Sequence, residues 1–167
     1  MKIVVMSDSH GSFIALDKIV KRHSDADMFI HLGDGERELN RILMKYPELE
    51  TKFHCCQGNC DYMNIVEIMQ KSEIIDLPYG HRIFASHGDK FQVKYGTARI
   101  IYEARQHQAD IVLYGHTHCR ENRYEDGIYI VNPSSIYNPR DGKPPSYAVM
   151  SISEKGILIK EMEVLSP

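Results

Sequence analysis

Residues 109–119 read Ala-Asp-Ile-Val-Leu-Tyr-Gly-His-Thr-His-Cys. The apolar run Ile111–Tyr114 is typical of a short strand that is buried on both faces, and Gly115 ends that run and allows a tight turn. His116 and His118 follow with one residue between them. Both imidazoles can therefore reach the same point in space and bind one metal. Alternatively, they are two unrelated surface histidines. The other strand ends decide between these two interpretations.

Three other predicted strands also end in side chains of the kinds that bind metals. They are Lys2–Met6, followed by Asp8 and His10; residues 28–32, followed by Asp34; and residues 53–57, followed by Asn59. Ligands of an open α/β sheet bind at the carboxyl ends of its strands, so these side chains are expected to converge. The repetition favours a metal site over scattered polarity.

Helical patterns alternate with the first strands. Apolar residues recur at helical spacing from Phe13 to Val20, and Ser9 or Ser12 is positioned to cap that helix. A second helix is predicted for residues 36–46. The order strand, helix, strand, helix predicts that the early strands are parallel.

Predicted hairpins dominate the second half of the chain. Runs at residues 72–77 and Arg82–Ser86 flank a turn and place His87 directly after the second run. A helix at residues 94–108 leads back to the strand at Ile111. Two further hairpins pair residues 123–125 with 128–131 and residues 147–152 with 157–164. We therefore expect an α/β fold of two packed mixed β-sheets flanked by helices, in one domain spanning residues 1–167.

The bulk composition limits the function classes. The 167 residues are 43% hydrophobic and 26% charged, as expected for one soluble domain with a core of its own. The net charge of −3 gives no general attraction to nucleic acid or to an anionic membrane, so phosphate binding depends on local charge. The first residues lead into a strand without a secretory pattern, so we expect a cytoplasmic protein without a membrane partner.

The four cysteines allow three interpretations. Cys55, Cys56, Cys60 and Cys119 could form two disulfides, bind zinc or remain reduced. Cys55 and Cys56 are adjacent and point to opposite faces of a strand, and the spacing lacks a paired Cys-x-x-Cys arrangement. In an intracellular setting this favours reduced thiols.

Five short motifs follow one another along the chain. They are Asp8-x-His10, Gly33-Asp34, Gly58-Asn59, Ser86-His87-Gly88 and Gly115-His116-x-His118. In this order they resemble the motifs of the calcineurin-like metallophosphoesterase superfamily, and the short chain with Cys60-Asp61 after Asn59 resembles its small YfcE-type phosphodiesterases. The resemblance implies an α/β/β/α sandwich and an enzyme that hydrolyses small phosphate diesters at a dinuclear metal centre.

The candidate ligands suit two ions. Seven ligands are too many for one ion, and a set of Asp, Asn and His suits Mn, Fe, Zn, Ni or Co, with manganese as our leading candidate. The resemblance assigns one ion to Asp8, His10, Asp34 and His118, and the other to Asp34, Asn59, His87 and His116. Asp34 then bridges the ions, and a bridging hydroxide is the nucleophile. Two divalent ions against two aspartates leave about +2 at the site, which suits a phosphate ester.

Cys60 departs from the superfamily pattern, in which many members carry a histidine after the motif asparagine. That histidine is thought to protonate the leaving oxygen or to hold the phosphate. A thiol donates a proton but lacks the positive charge of imidazolium, so we expect weak activity on alkyl monoesters and better activity on diesters with good leaving groups. Asp34, Asn59 and Cys60 are therefore the candidate catalytic residues. Asp61 is expected to be a surface or turn residue, and His31 a core residue.

Two other functions compete with this interpretation. The retromer subunit with this fold serves mainly as a protein-interaction surface, which makes a non-catalytic metal-binding scaffold the alternative. All seven ligand positions here carry the residue types of the enzymes, and this favours catalysis. A nuclease acting on long nucleic acid conflicts with the acidic balance and the lack of a basic track. A homo-oligomer is compatible with the sequence, but no residue pattern locates its interface.

Overall fold

The computed structural model describes residues 1–164, which contain eleven strands and three α-helices. The strands are β1 (Lys2–Met6), β2 (Met28–His31), β3 (Phe53–Cys56), β4 (Met69–Gln70), β5 (Ser72–Asp76), β6 (Arg82–Ser86), β7 (Ile111–Tyr114), β8 (Glu121–Glu125), β9 (Ile128–Asn132), β10 (Ser146–Ser153) and β11 (Gly156–Glu163). The helices are α1 (Phe13–Arg22), α2 (Glu36–Lys45) and α3 (Ala98–Gln106). Short 3-10 turns lie at Pro47–Lys52, Pro78–Gly80, Asp89–Phe91 and Val93–Tyr95.

The strands form two mixed sheets. The first has the order β11-β10-β1-β2-β3-β4, and the second has the order β5-β6-β7-β9-β8. Strands β1, β2 and β3 are parallel to one another, as their alternation with helices predicts, and β4 is parallel to β3. Strands β6, β7 and β9 are parallel in the second sheet, and the three predicted hairpins are antiparallel.

Alternating strand residues divide the core into layers. Ile3 of β1 and Ile83 of β6 belong to the apolar cluster between the sheets. The next residue of β1, Val4, points to the opposite face and packs in a cluster with Leu16 of α1. Ile100 of α3 belongs to a third cluster, on the outer face of the second sheet. The layers follow the order helix, sheet, sheet, helix, and the predicted fold class is confirmed.

Several local expectations need correction. The helix predicted for residues 94–108 begins only at Ala98, because Gly96, with φ of 131°, interrupts the helical backbone before it. Neither Ser9 nor Ser12 caps α1 through its side chain, and Ser9 Oγ instead donates to Glu38. Strand β4 is not predicted from the sequence, because its two residues are too few to form a recognisable pattern.

Two further points concern the end of the domain and the length of the helices. The expected domain end at residue 167 lies outside the described residues. Within residues 1–164, none of the helices is both long and apolar enough to span a bilayer.

Candidate metal centre

Five strands carry the candidate ligands just beyond their carboxyl ends. Asp8 and His10 follow β1, Asp34 follows β2, Asn59 follows β3, His87 follows β6, and His116 and His118 follow β7. The first three strands belong to the first sheet and the other two to the second. The candidate site therefore spans the carboxyl edges of both sheets, which is where ligands bind in parallel α/β structures.

One tight group contains Asp8, His10 and His118, whose ligand atoms all lie within 4.8 Å of one another. Nε2 of His118 is 3.0 Å from Oδ1 of Asp8 and 3.1 Å from Nε2 of His10. Oδ2 of Asp34 lies 3.7 Å from Nε2 of His10. The structure thus brings together the four residues that the resemblance assigns to one ion.

A second group forms on the other side of Asp34. Nε2 of His87 lies 3.5 Å from Oδ2 of Asp34 and 3.2 Å from Nδ1 of His116. Because the same Asp34 oxygen faces both His10 and His87, this carboxylate lies between the two groups. Asn59 stands apart, since it is exposed and its amide nitrogen lies 3.2 Å from Sγ of Cys60. Six candidate ligands therefore converge, and Asn59 stays at the margin.

The hydrogen bonds of the two buried histidines test whether this arrangement suits a cation. Nδ1 of His87 and Nδ1 of His118 each donate to a backbone carbonyl at 2.7 Å, that of Leu32 and that of Asn138. In the neutral rings, both Nε2 atoms then carry lone pairs, and these lone pairs face the carboxylates of Asp34 and Asp8. Acceptors that face acceptors in a buried site repel each other unless a proton or a metal cation lies between them. The donor set fits a divalent metal.

The two aspartates are held in their charged form. In the metal-free protein, burial raises the pKa of Asp34, but the hydrogen bond and charge of a protonated His87 and the N–H of Cys60 outweigh burial and lower this pKa to about 2. Burial also opposes ionisation of Asp8, yet the neighbouring His10 and His118 hold its pKa well below the usual range. Oδ1 of Asp8 is buried and has no hydrogen-bond partner among residues 1–164. Two negative charges therefore face the space where a cation would bind.

Asp61 is buried, so it is not a surface residue; its N–H donates to the Gly58 carbonyl at 3.3 Å and closes a turn, which agrees with the other half of the expectation. Its Oδ2 accepts the N–H groups of Asp34 at 2.7 Å and Gly58 at 2.8 Å. Its Oδ1 accepts the N–H groups of Gly35 and Glu36, both at 2.9 Å. One carboxylate thus joins the loop after β2 to the loop after β3, and it fixes the backbone on both sides of Asp34.

The sequence contains a signal for this role of Asp61. Gly35 is the N-cap residue of α2 and has no side chain that could accept the unpaired N–H groups of the first helical turn. These N–H groups then bind either water or an acceptor from elsewhere in the chain. An acidic residue also suits the positive end of the helix dipole.

The loop between β9 and β10 positions His118. Asn138 accepts the Nδ1 proton of His118, while Ser134 Oγ and the N–H of Arg140 both donate to the His118 carbonyl at 2.8 Å. Ser134 has a φ of 69°, a region that favours glycine. The loop therefore holds His118 through both its ring and its backbone.

His31 lies beneath the site and is fully buried, so its prediction as a core residue is confirmed. Its Nδ1 accepts the N–H of Gly33 at 3.2 Å, and its Nε2 has no hydrogen-bond partner among the described residues. Burial lowers the pKa of His31 to about 4 against the opposing charges of Asp61 and Asp8. The ring therefore stays neutral at neutral pH.

The backbone is strained where it presents the ligands. Five candidate ligands have positive φ: Asp8 (55°), His10 (38°), Asp34 (57°), His116 (66°) and His118 (58°). Such conformations persist only where the surrounding structure enforces them, and they concentrate at functional sites. Gly58 and Gly115 allow the close approach, because a Cβ at residue 58 would overlap Oδ1 of Asp34 and a Cβ at residue 115 would overlap Oγ of Ser7.

Cys60 lies at the mouth of the site. Its side chain is exposed, its N–H donates to Oδ1 of Asp34 at 2.7 Å, and its Sγ belongs to a group with His10 and Asp34 whose ligand atoms lie within 4.8 Å of one another. Partial burial and the Asp34 charge raise the pKa of this thiol to about 11. Cys55 and Cys56 lie in the clusters on opposite faces of the first sheet, as the strand pattern predicts.

Comparison with known proteins identifies the family of this chain. A model described as the calcineurin-like phosphoesterase superfamily domain matches residues 1–155. The probable metallophosphoesterase YsnB of Bacillus subtilis is 30% identical over 161 residues, which cover 96% of this chain and 89% of YsnB. The phosphodiesterase YfcE of Escherichia coli is 28% identical over 169 residues, which cover 90% of this chain and 87% of YfcE.

Solved structures share the fold of this chain. A conserved protein of Streptococcus pneumoniae, described as a predicted phosphoesterase, has a TM-score of 0.82 at 27% identity and covers 98% of this chain and 89% of its own. Vps29 of Entamoeba histolytica complexed with Zn²⁺ has a TM-score of 0.70 at 19% identity over 99% and 100% of the two chains, a likeness of fold alone. The chain belongs to the calcineurin-like phosphoesterase superfamily, among small relatives of the YfcE and YsnB type.

Proposed function

We propose that this protein is a phosphodiesterase that hydrolyses small phosphate diesters at a dinuclear metal centre. The residues that would hold the two ions are Asp8, His10, Asp34, Asn59, His87, His116 and His118. The observation that carries the proposal is the pair of Nε2 atoms, of His87 and His118, that face the Asp34 and Asp8 carboxylates while the Nδ1 atoms of both rings bind backbone carbonyls. A divalent cation between these atoms would relieve the repulsion between the facing acceptors and would use both groups of ligands at once.

Two divalent ions, with manganese as the leading candidate and Ni, Co, Zn or Fe as alternatives, would supply positive charge for the phosphoryl group and would convert an attacking water to hydroxide. The protein itself positions the side chains that would bind the ions. Oδ2 of Asp34 faces both groups of ligands, and the backbone carbonyls of Leu32 and Asn138 fix the two buried rings. Hydrolysis breaks one P–O bond and yields a phosphate monoester and an alcohol, which needs one proton.

Cys60 is the proposed donor of that proton. Its thiol lies beside His10 and Asp34 at the open side of the site, where a leaving oxygen can reach it. A neutral thiol brings a proton but no positive charge, so esters with good leaving groups, such as aryl diesters, are the expected substrates. The acidic balance of the chain further favours a small substrate over long nucleic acid.

The alternative is a non-catalytic scaffold of the same fold. The likeness to Vps29 supports only the fold that such a scaffold would share. All seven positions carry residues that can bind a metal, and six of their side chains converge, which supports catalysis instead.

The test is turnover of bis-p-nitrophenyl phosphate beside p-nitrophenyl phosphate, after metal removal and addition of Mn, Ni, Co, Zn or Mg. We expect metal-dependent turnover that favours the diester. Asp34→Ala should reduce it more than about 100-fold, because even indirect partners of metal ligands cost about 10- to 100-fold. Two ions bound per chain without turnover in any metal would instead support the scaffold.

A further inference from the structure

Two clefts open from the candidate metal centre and share His10 and Gly11. One has a volume of about 310 Å³, and its wall includes Cys60, Tyr62 and Met63; we call it the thiol cleft. The other has a volume of about 420 Å³. It is lined by Phe13, Ile14, Arg41 and Tyr137 together with Ser12 and the two shared residues, and we call it the aromatic cleft. A diester has two arms, so a phosphorus at the junction can place one arm in each cleft.

The aromatic cleft combines flat rings with a cation. The guanidinium carbon of Arg41 lies 3.8 Å from the ring centroid of Phe13, within the range of a cation–π contact. Within residues 1–164, Arg41 forms no ion pair, so its charge is uncompensated beside a phosphate site. Tyr137 forms another wall and is 56% exposed. A planar aromatic group can stack on such surfaces, and the cation strengthens this contact.

The two clefts differ in the chemistry that they offer. The thiol cleft carries the proposed proton donor Cys60, so the arm that leaves belongs there. Arg37 also lines this cleft, but the carboxylates of Asp34, Glu36, Glu38 and Asp61 outnumber it and disfavour a second anionic group. The aromatic cleft then receives the arm that stays on phosphorus. Its volume lies within the range of about 300 to 1,000 Å³ that is usual for small-molecule sites.

We propose that the aromatic cleft is a specificity site for a planar aromatic group on the retained arm of the diester. This inference rests on the proposed phosphodiesterase function and deepens it. An aryl group and a nucleobase share the chemistry that Phe13, Arg41 and Tyr137 recognise, and a nucleoside arm differs from an aryl arm only in the sugar between the ring and the phosphate.

The test keeps the leaving group constant and changes the retained arm. Phenyl p-nitrophenyl phosphate and ethyl p-nitrophenyl phosphate both release p-nitrophenolate. We expect the metal-loaded parent to have a KM about fivefold lower for the phenyl ester, as one aromatic stacking contact implies. Tyr137→Leu and Arg41→Met should reduce this preference to less than about twofold. Tyr137→Phe keeps the ring and should keep the preference.

The matched control is Tyr102→Leu on α3, which removes an exposed tyrosine outside both clefts and should change neither KM. Thymidine 5′-p-nitrophenyl phosphate distinguishes a nucleoside from a simple aryl group as the ligand of the aromatic cleft. A KM below that of the phenyl ester assigns the cleft to a nucleoside, and a higher one assigns it to a simple aryl group. Equal KM values for phenyl and ethyl esters in the parent, or equal losses for both in Tyr137→Leu, would overturn the inference while hydrolysis itself stands.

Binding without turnover separates failure of the cleft from failure of the proposed function. Calorimetric titration of the metal-loaded protein with phenylphosphonate and ethylphosphonate should give tighter binding of the phenyl compound, and Tyr137→Leu should remove the difference. If no ester is hydrolysed but this difference is found, the proposed function fails and the cleft assignment stands. If the phosphonates bind equally while the esters are hydrolysed, the cleft assignment is wrong and the function stands.

Discussion

The floor and the rim of the candidate site are built in different ways. The floor comprises Asp8, Asp34, His87 and His118, which are at most 4% exposed. The rim comprises His10, Asn59, Cys60 and His116, which are exposed or partly buried. Hydrogen bonds to the backbone or to Ser7 hold every floor side chain. Among residues 1–164, the Asn59 amide forms a hydrogen bond only with its neighbour Cys60. The floor is therefore preformed, and of the candidate ligands on the rim Asn59 must still move to join the others when a ligand binds.

The largest expected effect breaks the floor. His118→Ala removes a buried ligand that no rim residue replaces, so turnover of bis-p-nitrophenyl phosphate should fall more than about 100-fold. Asn59→Ala should lower turnover only about tenfold and weaken one of two bound ions. Metal content per chain, measured by mass spectrometry after dialysis, together with the rates, checks this. Equal losses of metal and rate in both variants would remove the distinction between floor and rim.

Asp61 tests what holds the floor in place. Asp61→Ala leaves four buried N–H groups without an acceptor, so the free energy of unfolding should fall by about 3 kcal/mol. Turnover should fall about 10- to 100-fold, because the Asp34 loop loses its support. Denaturant unfolding and steady-state rates measure both effects.

Two variants control for the removal of a side chain near Asp34. Asp61→Asn keeps one acceptor oxygen and should give intermediate values. Cys60→Ala on the rim should leave the free energy of unfolding within about 0.5 kcal/mol of the parent. An unfolding energy of Asp61→Ala equal to that of Cys60→Ala would show that the four contacts do not support the fold.

His31, which lies beneath the floor, makes the free energy of unfolding depend on pH. Its pKa is about 4 in the folded protein and about 6.5 when unfolded, so the neutral ring contributes stability that is present above about pH 6.5 and is lost as the pH falls toward 4. Between pH 7 and 4.5 this loss is on the order of 2 kcal/mol. Urea unfolding of the metal-free protein at both pH values measures it.

His31→Asn isolates this contribution. The asparagine oxygen can still accept the N–H of Gly33, but the side chain does not titrate in this range. The variant should be less stable than the parent at pH 7 and should lose less stability on acidification. The same loss in the variant and in the parent would assign the acid sensitivity to other groups.

The smallest expected effect sharpens the role of the rim. Cys60→His supplies an imidazolium, which adds the positive charge that the thiol lacks, so turnover of a diester with an alkyl leaving group should rise severalfold, up to about tenfold. Turnover of bis-p-nitrophenyl phosphate should change little, since p-nitrophenolate leaves without a proton. An unchanged rate on the alkyl leaving group would refute the explanation based on Cys60.

The sequence predicts the sheets and the order of the candidate ligands well, because both depend on short-range patterns. Strands such as β1 and β7 are predicted by apolar runs that either alternate with polar residues or continue without interruption. Each candidate ligand lies within a few residues of a strand end. Hairpins at residues 72–86 and 121–132 follow from turn residues between such runs. The layers follow because helices must cover the outer faces of both sheets.

The sequence predicts less where long-range contacts decide the outcome. Asp61 accepts N–H groups from residues more than twenty positions earlier, and no local pattern around it indicates burial. The late start of α3 at Ala98 depends on Gly96, whose positive φ is visible only in the folded backbone. The aromatic cleft joins α1, α2 and the loop after β9, and those segments meet only in three dimensions.

The shared carboxylate of Asp61 also has a consequence for local opening. Amide hydrogens of Asp34, Gly35, Glu36 and Gly58 all depend on one acceptor group, although they belong to two separate loops. Their exchange with deuterated solvent should therefore slow and quicken together, as one cooperative unit. The loop after β2 and the loop after β3 should therefore open together, so that neither loop unfolds locally while the other stays closed.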